Sequence, residues 1–131
     1  MEGQDWKLGY LYVSVANTDA AIRHYTEVLG AKLLWRHARF GAVVAALQWR
    51  EGDPILLLND HHPPPRVQPV FVVPNAAAAR DRLARIGASS LSPLTDGPTG
   101  DLATFEDLDG NPFALIDEAK LDQFLRAVRG R

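Results

Sequence analysis

The side chains able to do chemistry are few, and most stand apart from one another. The chain has four histidines, His24, His37, His61 and His62, and no cysteine. Lacking cysteine, it has no disulfide, no thiolate metal site and no cysteine nucleophile. The densest set of metal-binding types is Asp60-His61-His62. Adjacent histidines in a strand-end loop point in different directions, and prolines Pro63, Pro64 and Pro65 follow. Three prolines cannot continue a strand ladder and favour extended polyproline geometry. The set therefore reads as a solvated connector, with metal binding as the alternative. His24, beside Tyr25, reads as a helix-flank side chain packing on a sheet, and His37 as a strand end at a rim. Glu106 and Asp107 are neighbours on a strand, so they project to opposite faces and cannot act as one acid–base pair. Asp107 and Asp109 suit a turn. There is no Gly-rich phosphate loop and no nucleophile elbow.

The elements that must position these groups follow from periodicity. LGYLYVSVA (8–16), KLLWRHA (32–38), GAVVAALQWR (41–50) and PILLLN (54–59) read as strands. Between the first two, Asn17 and Thr18 cap a helix with Asp19 in its first turn, and Gly30 ends it. After the connector at 60–67, QPVFVV (68–73) is a strand and Asn75 caps a second helix that Gly87 closes. SSLSPL (89–94) reads as a weaker strand and TDGPTG (95–100) as a loop. DLATFED (101–107) and NPFALID (111–117) are strands around the turn Leu108-Asp109-Gly110. Leu121, Phe124, Leu125 and Val128 recur at helical spacing, which predicts a C-terminal amphipathic helix over 118–129.

The order is written twice. Gly52 and Gly110, Pro54 and Pro112, Asn17 and Asn75, and Ala21 and Ala79 all align at one offset, which slips by one where Gly30 meets Gly87. A repeat of motif order together with spacing predicts two βαβββ modules.

Composition narrows the function classes. Hydrophobic residues make up 47% and charged residues 23%, an ordinary globular balance. A net charge of −2 gives no electrostatic reason to bind nucleic acid or an anionic membrane surface. The acidic start MEGQDW carries no apolar signal segment, and no apolar run approaches a membrane span. The expectation is a single cytoplasmic domain, residues 1–131, with module 1 at about 8–59 and module 2 at about 68–117.

The segments VANTDAAIRHYTEVLGA (15–31), FVVPNAAAARDRLARIGA (71–88) and ATFEDLDGNPFALID (103–117) resemble the vicinal oxygen chelate superfamily of glyoxalases, bleomycin resistance proteins and extradiol dioxygenases. The resemblance implies an α+β fold: two βαβββ modules forming an open eight-strand cup, helices outside, plus the C-terminal helix. It also implies a metal ligand from the first and last strand of each module. Here those positions hold Tyr10, Leu56, Gln68 and Ala114. Divalent ions need imidazole or carboxylate donors, so the resemblance is to members without metal, and no cofactor is expected. Strand alternation then puts Tyr10, Tyr12, Leu56, Gln68, Val70 and Ala114 on the cup face, with Trp35 and Trp49 near its mouth. An apolar and aromatic lining of this kind suits a small organic ligand. The leading expectation is a bleomycin-resistance-like protein that binds such a ligand, as in antibiotic sequestration. The alternatives are a lyase, isomerase or dioxygenase-type enzyme of the same superfamily and a regulatory dimer without ligand. Uncovered strand edges predict a homodimer.

Overall fold

The computed structural model describes residues 6–39, 41–97 and 100–119. Two compact units emerge, one from Tyr10–Val67 and one combining Met1–Gly9 with Gln68–Arg131. Each has βαβββ order.

In the first unit, β1 (Lys7–Ser14) leads to α1 (Thr18–Arg23), and β2 (Lys32–Arg39), β3 (Ala42–Gln48) and β4 (Ile55–Asn59) follow. The strand order is β2-β3-β4-β1. β1 runs parallel to β4, and the other neighbours are antiparallel. Asn17 opens α1 because its Oδ1 accepts from the Ala20 amide at 2.9 Å. The helix passes directly into a π-helical turn, His24–Val28, in which the Leu29 amide donates to the His24 carbonyl. A π turn is how a helix absorbs one extra residue. Beneath the helix, Ala31, Ala45, Leu47 and Leu58 form a buried core against Val13, Val15, Ile22 and Tyr25. Arg36 holds the first helical turn to β2 through a two-pronged ion pair with Asp19, 2.7 and 3.1 Å. That contact holds the Asp19 carboxyl below its ordinary range, chiefly through the hydrogen bond from Arg36.

In the second unit, β5 (Val67–Val73) is followed by α2 (Ala76–Arg85), β6 (Thr95–Gly97), β7 (Gly100–Glu106) and β8 (Pro112–Asp117), ordered β5-β8-β7-β6. Asn75 caps α2 as Asn17 caps α1, and the Asp117 carboxylate takes the Ala76 amide at 3.0 Å. Val73, Ala76, Leu83 and Leu115 make its core with Phe71 and Phe105, and Trp6 packs on both of those rings. The strand expected at 89–94 lies instead at Thr95–Gly97, within the stretch read as a loop. Pro93 has no amide to give a ladder. The Ser89–Ser92 segment reaches β7 by single bonds, Glu106 N to Ser89 O and Ser92 N to Thr104 O, both 2.9 Å. Past Ala119, the expected C-terminal helix falls outside the described residues.

Gly9 on β1 belongs to this second unit, and its lack of a side chain is required by close approach. A Cβ there would stand 2.7 Å from Cγ2 of Val72. Gly9→Ala is expected to destabilise by about 1–3 kcal/mol, the usual penalty of overpacking. Urea unfolding checks it. Adding Val72→Ala should recover part of the loss, and a Gly9→Ala protein as stable as wild type would contradict the contact.

Candidate functional site

Each sheet has one face under its helix and one face away from it. Residues paired across neighbouring strands share a face, and alternation sends the next residue to the other. In the first unit one row of the far face is Tyr12, Leu57, Ala46 and Trp35. The next row is Ser14, Asn59, Val44 and His37. Tyr10 pairs with Ile55 and continues the face. Ser14, Asn59, Leu57, Val44, Ala46 and Tyr10 are buried, whereas Tyr12, Trp35 and His37 are half-buried. The face is therefore closed at β1, β4 and β3, and more open toward β2.

Two expected site residues lie elsewhere. Leu56 pairs with Leu11 and Leu47, and Leu47 is part of the core under α1, so Leu56 sits on the helix side. Trp49 also lies there. Its Nε1 donates to the Leu29 carbonyl at 2.7 Å and its ring meets Tyr25 at 6.2 Å. The parallel pairings show the error at Leu56: Tyr12 pairs with Leu57, while the equivalent Val70 pairs with Ala114. Gly52 and Gly110, both of positive φ, still match at the original offset, but β4 starts at Ile55 and β8 at Pro112, so module 1 has one residue more between that glycine and its last strand. Leu57 is therefore the structural counterpart of Ala114, and the shared Gly and Pro of the two turns hid it in the sequence.

In the second unit the far face carries Gln68, Val70 and Val72 from β5, with Ala114 and Ile116 from β8. Val70, Ala114 and Ile116 are fully buried. Gln68 is also buried, and its amide nitrogen donates to the Phe113 carbonyl at 3.1 Å.

This donor set does not fit the divalent ion that the fold resemblance implies. Leucine at 57 and alanine at 114 have no donor atom, and Tyr10 and Gln68 offer only a phenol and a neutral amide, whose nitrogen donates to the Phe113 carbonyl. Zinc, iron and manganese sites use imidazole or carboxylate in fixed geometry. Asp60, the acidic member of the histidine-rich set, accepts the Val43 amide at 3.0 Å. The rings of His61 and His62 lie 6.4 Å apart. Burial, with Arg66 and His61 adding to it, pushes the His62 imidazole below its ordinary value. Among the described residues no three His, Cys, Asp or Glu side chains gather closely enough to hold a metal ion.

The conspicuous carboxylate of the β7–β8 connection is structural. Asp107 accepts from Asn111 Nδ2, Asn111 N and Asp109 N, each at 2.9 Å. The Asn111 side chain is the main cause of its lowered pKa, helped by backbone amides. A carboxyl depressed in the folded state stabilises above its unfolded pKa, and that contribution disappears as pH falls through the folded value. Asp107→Asn is therefore expected to destabilise at neutral pH, with the gap to wild type closing below about pH 4. Urea unfolding across that range reads it. A gap independent of pH would show that the charge is not what holds the turn.

The family model described as "Glyoxalase/Bleomycin resistance protein/Dioxygenase superfamily" matches residues 7–115. No curated protein matches. Among solved structures, a hypothetical protein from Bacillus halodurans is similar at a TM-score of 0.73 and 14% identity, covering 88% of this chain and 96% of its own. Methylmalonyl-CoA epimerase from Mycobacterium tuberculosis is similar at 0.70 and 20% identity, covering 84% and 86%. A glyoxalase/bleomycin resistance protein/dioxygenase superfamily member from Vibrio splendidus is similar at 0.63 and 14% identity, covering 86% and 99%. At these identities the likeness is one of fold. No helix among the described residues is long and apolar enough to cross a membrane.

Proposed function

Because the chain belongs to the glyoxalase/bleomycin resistance protein/dioxygenase superfamily, we propose that it binds a small, mostly apolar or aromatic molecule without a divalent metal. One observation carries this reading. At Ala114, and at Leu57, which takes the place of the expected Leu56, the far faces hold buried aliphatic side chains, 0% and 1% exposed. Such positions give a metal nothing, and they leave the site apolar. Tyr10, Tyr12 and Trp35 add ring surface in the first unit, and Gln68 and Val70 line the second. Sequestration of an aromatic antibiotic needs this kind of affinity and no catalytic group.

A second reading is favoured by the epimerases among the structural neighbours, one of which, from Streptomyces coelicolor, is seen in complex with 2-nitronate-propionyl-CoA. It makes this chain an isomerase acting on a coenzyme A thioester. That chemistry needs a base for the proton beside the carbonyl. His37 is the imidazole on the first unit's far face.

The test is thermal shift followed by calorimetric titration of the whole chain with aromatic antibiotics, bleomycin included, and with propionyl-CoA and methylmalonyl-CoA. Repeating each titration with chelator completes the design. Stabilisation by an aromatic compound that survives chelation supports the first reading. Binding of the thioesters with exchange of their α-proton into deuterated water supports the second. Binding abolished by chelator would overturn the metal-free reading in both.

The proposal includes a homodimer. β2 ends the strand order of its sheet and exposes Leu33 and Leu34, each 44% accessible. Edge strands of this kind are usually covered. Light scattering at micromolar concentration checks it, and a monomer would count against it.

A further inference from the structure

The buried end of the first unit's far face holds a hydroxyl with nothing to bond. Ser14 is the last residue of β1 and is 5% exposed. Its backbone amide donates to the Arg66 carbonyl at 2.9 Å, but its Oγ has no hydrogen-bond partner. Among the described residues it is the buried side-chain polar atom left in that state. Buried polar atoms are nearly always paired, so an orphan calls for a specific explanation.

Its neighbourhood supplies one. Ser14 pairs with Asn59, which is 4% exposed. The Asn59 amide nitrogen points at two strand carbonyls, those of Val13 at 3.5 Å and Leu57 at 3.4 Å. That orientation leaves Oδ1, an acceptor, at the other end of the amide. A hydroxyl that can donate or accept therefore stands in one row with a carboxamide oxygen that accepts. Around them the face is apolar, with Val44, Ala46 and Leu57 buried, and it ends toward β2 at the half-buried Trp35 and His37.

We propose that Ser14 and Asn59 form a neutral polar anchor at the deep end of this face. The group they take is a hydroxyl, phenolic or alcoholic, on an otherwise apolar ligand. Ser14 donates to the ligand oxygen, and the ligand hydroxyl donates to Asn59 Oδ1. The apolar body of the ligand extends from the anchor toward the half-buried Trp35 and His37, the open side of the face. A carboxylate is disfavoured, because it has no proton for Asn59 Oδ1 and would be desolvated against that oxygen. This inference rests on the ligand-binding reading above and names the ligand class at one end of the site.

The experiment is an NMR titration of the full-length, isotope-labelled protein with three probes of similar size: 4-methylphenol, toluene and benzoate. The expected result is saturable shifts at Ser14, Asn59 and Leu57 with 4-methylphenol, and at least fivefold weaker binding of toluene and benzoate. Ser14→Ala should weaken 4-methylphenol to the level of toluene and leave toluene unchanged. Its melting temperature should not fall, since an unpaired hydroxyl is being removed. Equal binding of 4-methylphenol and toluene, both unaffected by Ser14→Ala, would overturn the anchor: the hydroxyl is then met by a buried water only, while the apolar-face reading survives. If no probe shifts the face at all, both the anchor and the ligand-binding reading fail.

Discussion

Leu115→Ala is expected to cost about 3–5 kcal/mol, a large part of the total stability of a domain this size. Leu115 is completely buried on the helix side of β8. It packs with Val73, Ala76 and Leu83, and its strand neighbours Phe71 and Ala103 pair with it on either side. Truncation removes the transfer free energy of three carbons and leaves a cavity. With a sheet on one side and a helix on the other, the surroundings can collapse only partly, which places the loss toward the upper end of the Leu→Ala range. Leu58→Ala, at the matching position under α1, should be comparable. Leu108→Ala is the control: that side chain is 98% exposed, and its loss should fall within about 0.5 kcal/mol of zero. Urea unfolding gives all three. If Leu115→Ala and Leu108→Ala were similar, the core assignment in the second unit would be wrong. A lowered m-value in either core variant would instead report that the two units no longer unfold together.

Most of the fold was legible because its signals are local and repeated. Asn17 and Asn75 cap helices as their residue type and position dictate, and the Asp107-to-Asn111 turn forms from short-range hydrogen bonds. Val13, Phe71, Val73 and Leu115, which alternate with the expected cup-face positions of β1, β5 and β8, do pack in the cores under the helices. Two features were not legible, each for a physical reason. The register of β4 is one: Gly52 and Gly110 occupy equivalent turns, yet β4 starts three residues after its glycine and β8 two after, which puts Leu57 rather than Leu56 on the far face. In a strand, whose side-chain period is two, a slip of one residue inverts every assignment. The position of β6 was hidden because Ser92 and Pro93 interrupt the ladder just where the apolar pattern suggested a strand. The site suffered from the same slip. Tyr10, Tyr12, Trp35, Gln68, Val70 and Ala114 lie on far faces, but Leu57 and Asn59 were passed over in favour of Leu56, and Trp49, expected near the mouth, packs against Leu29 and Tyr25.

Ala114→Glu is expected to cost as much as the core truncation, about 3–5 kcal/mol at neutral pH, but its loss shrinks in acid. The substitution restores the residue type that the resemblance expects at this position. Ala114 is fully buried in β8, between Val70 of β5 and Thr104 of β7. None of those neighbours carries a positive charge. A carboxylate there is desolvated without a partner, so its pKa rises in the folded state. The sign follows from proton linkage: between the unfolded pKa, near 4.3, and the raised folded value, the native state binds more protons than the unfolded one. Stability relative to wild type therefore falls as pH rises through that window. Ala114→Gln supplies the same bulk without the charge, and its loss should be smaller and flat with pH. The comparison is read from denaturant midpoints at several pH values. Should the two variants lose stability equally at every pH, bulk alone is responsible and the site is not the dry, chargeless environment described. If added zinc restored the stability of A114E, other donors would have to lie within reach of position 114, and the metal-free reading of this protein would fall with it.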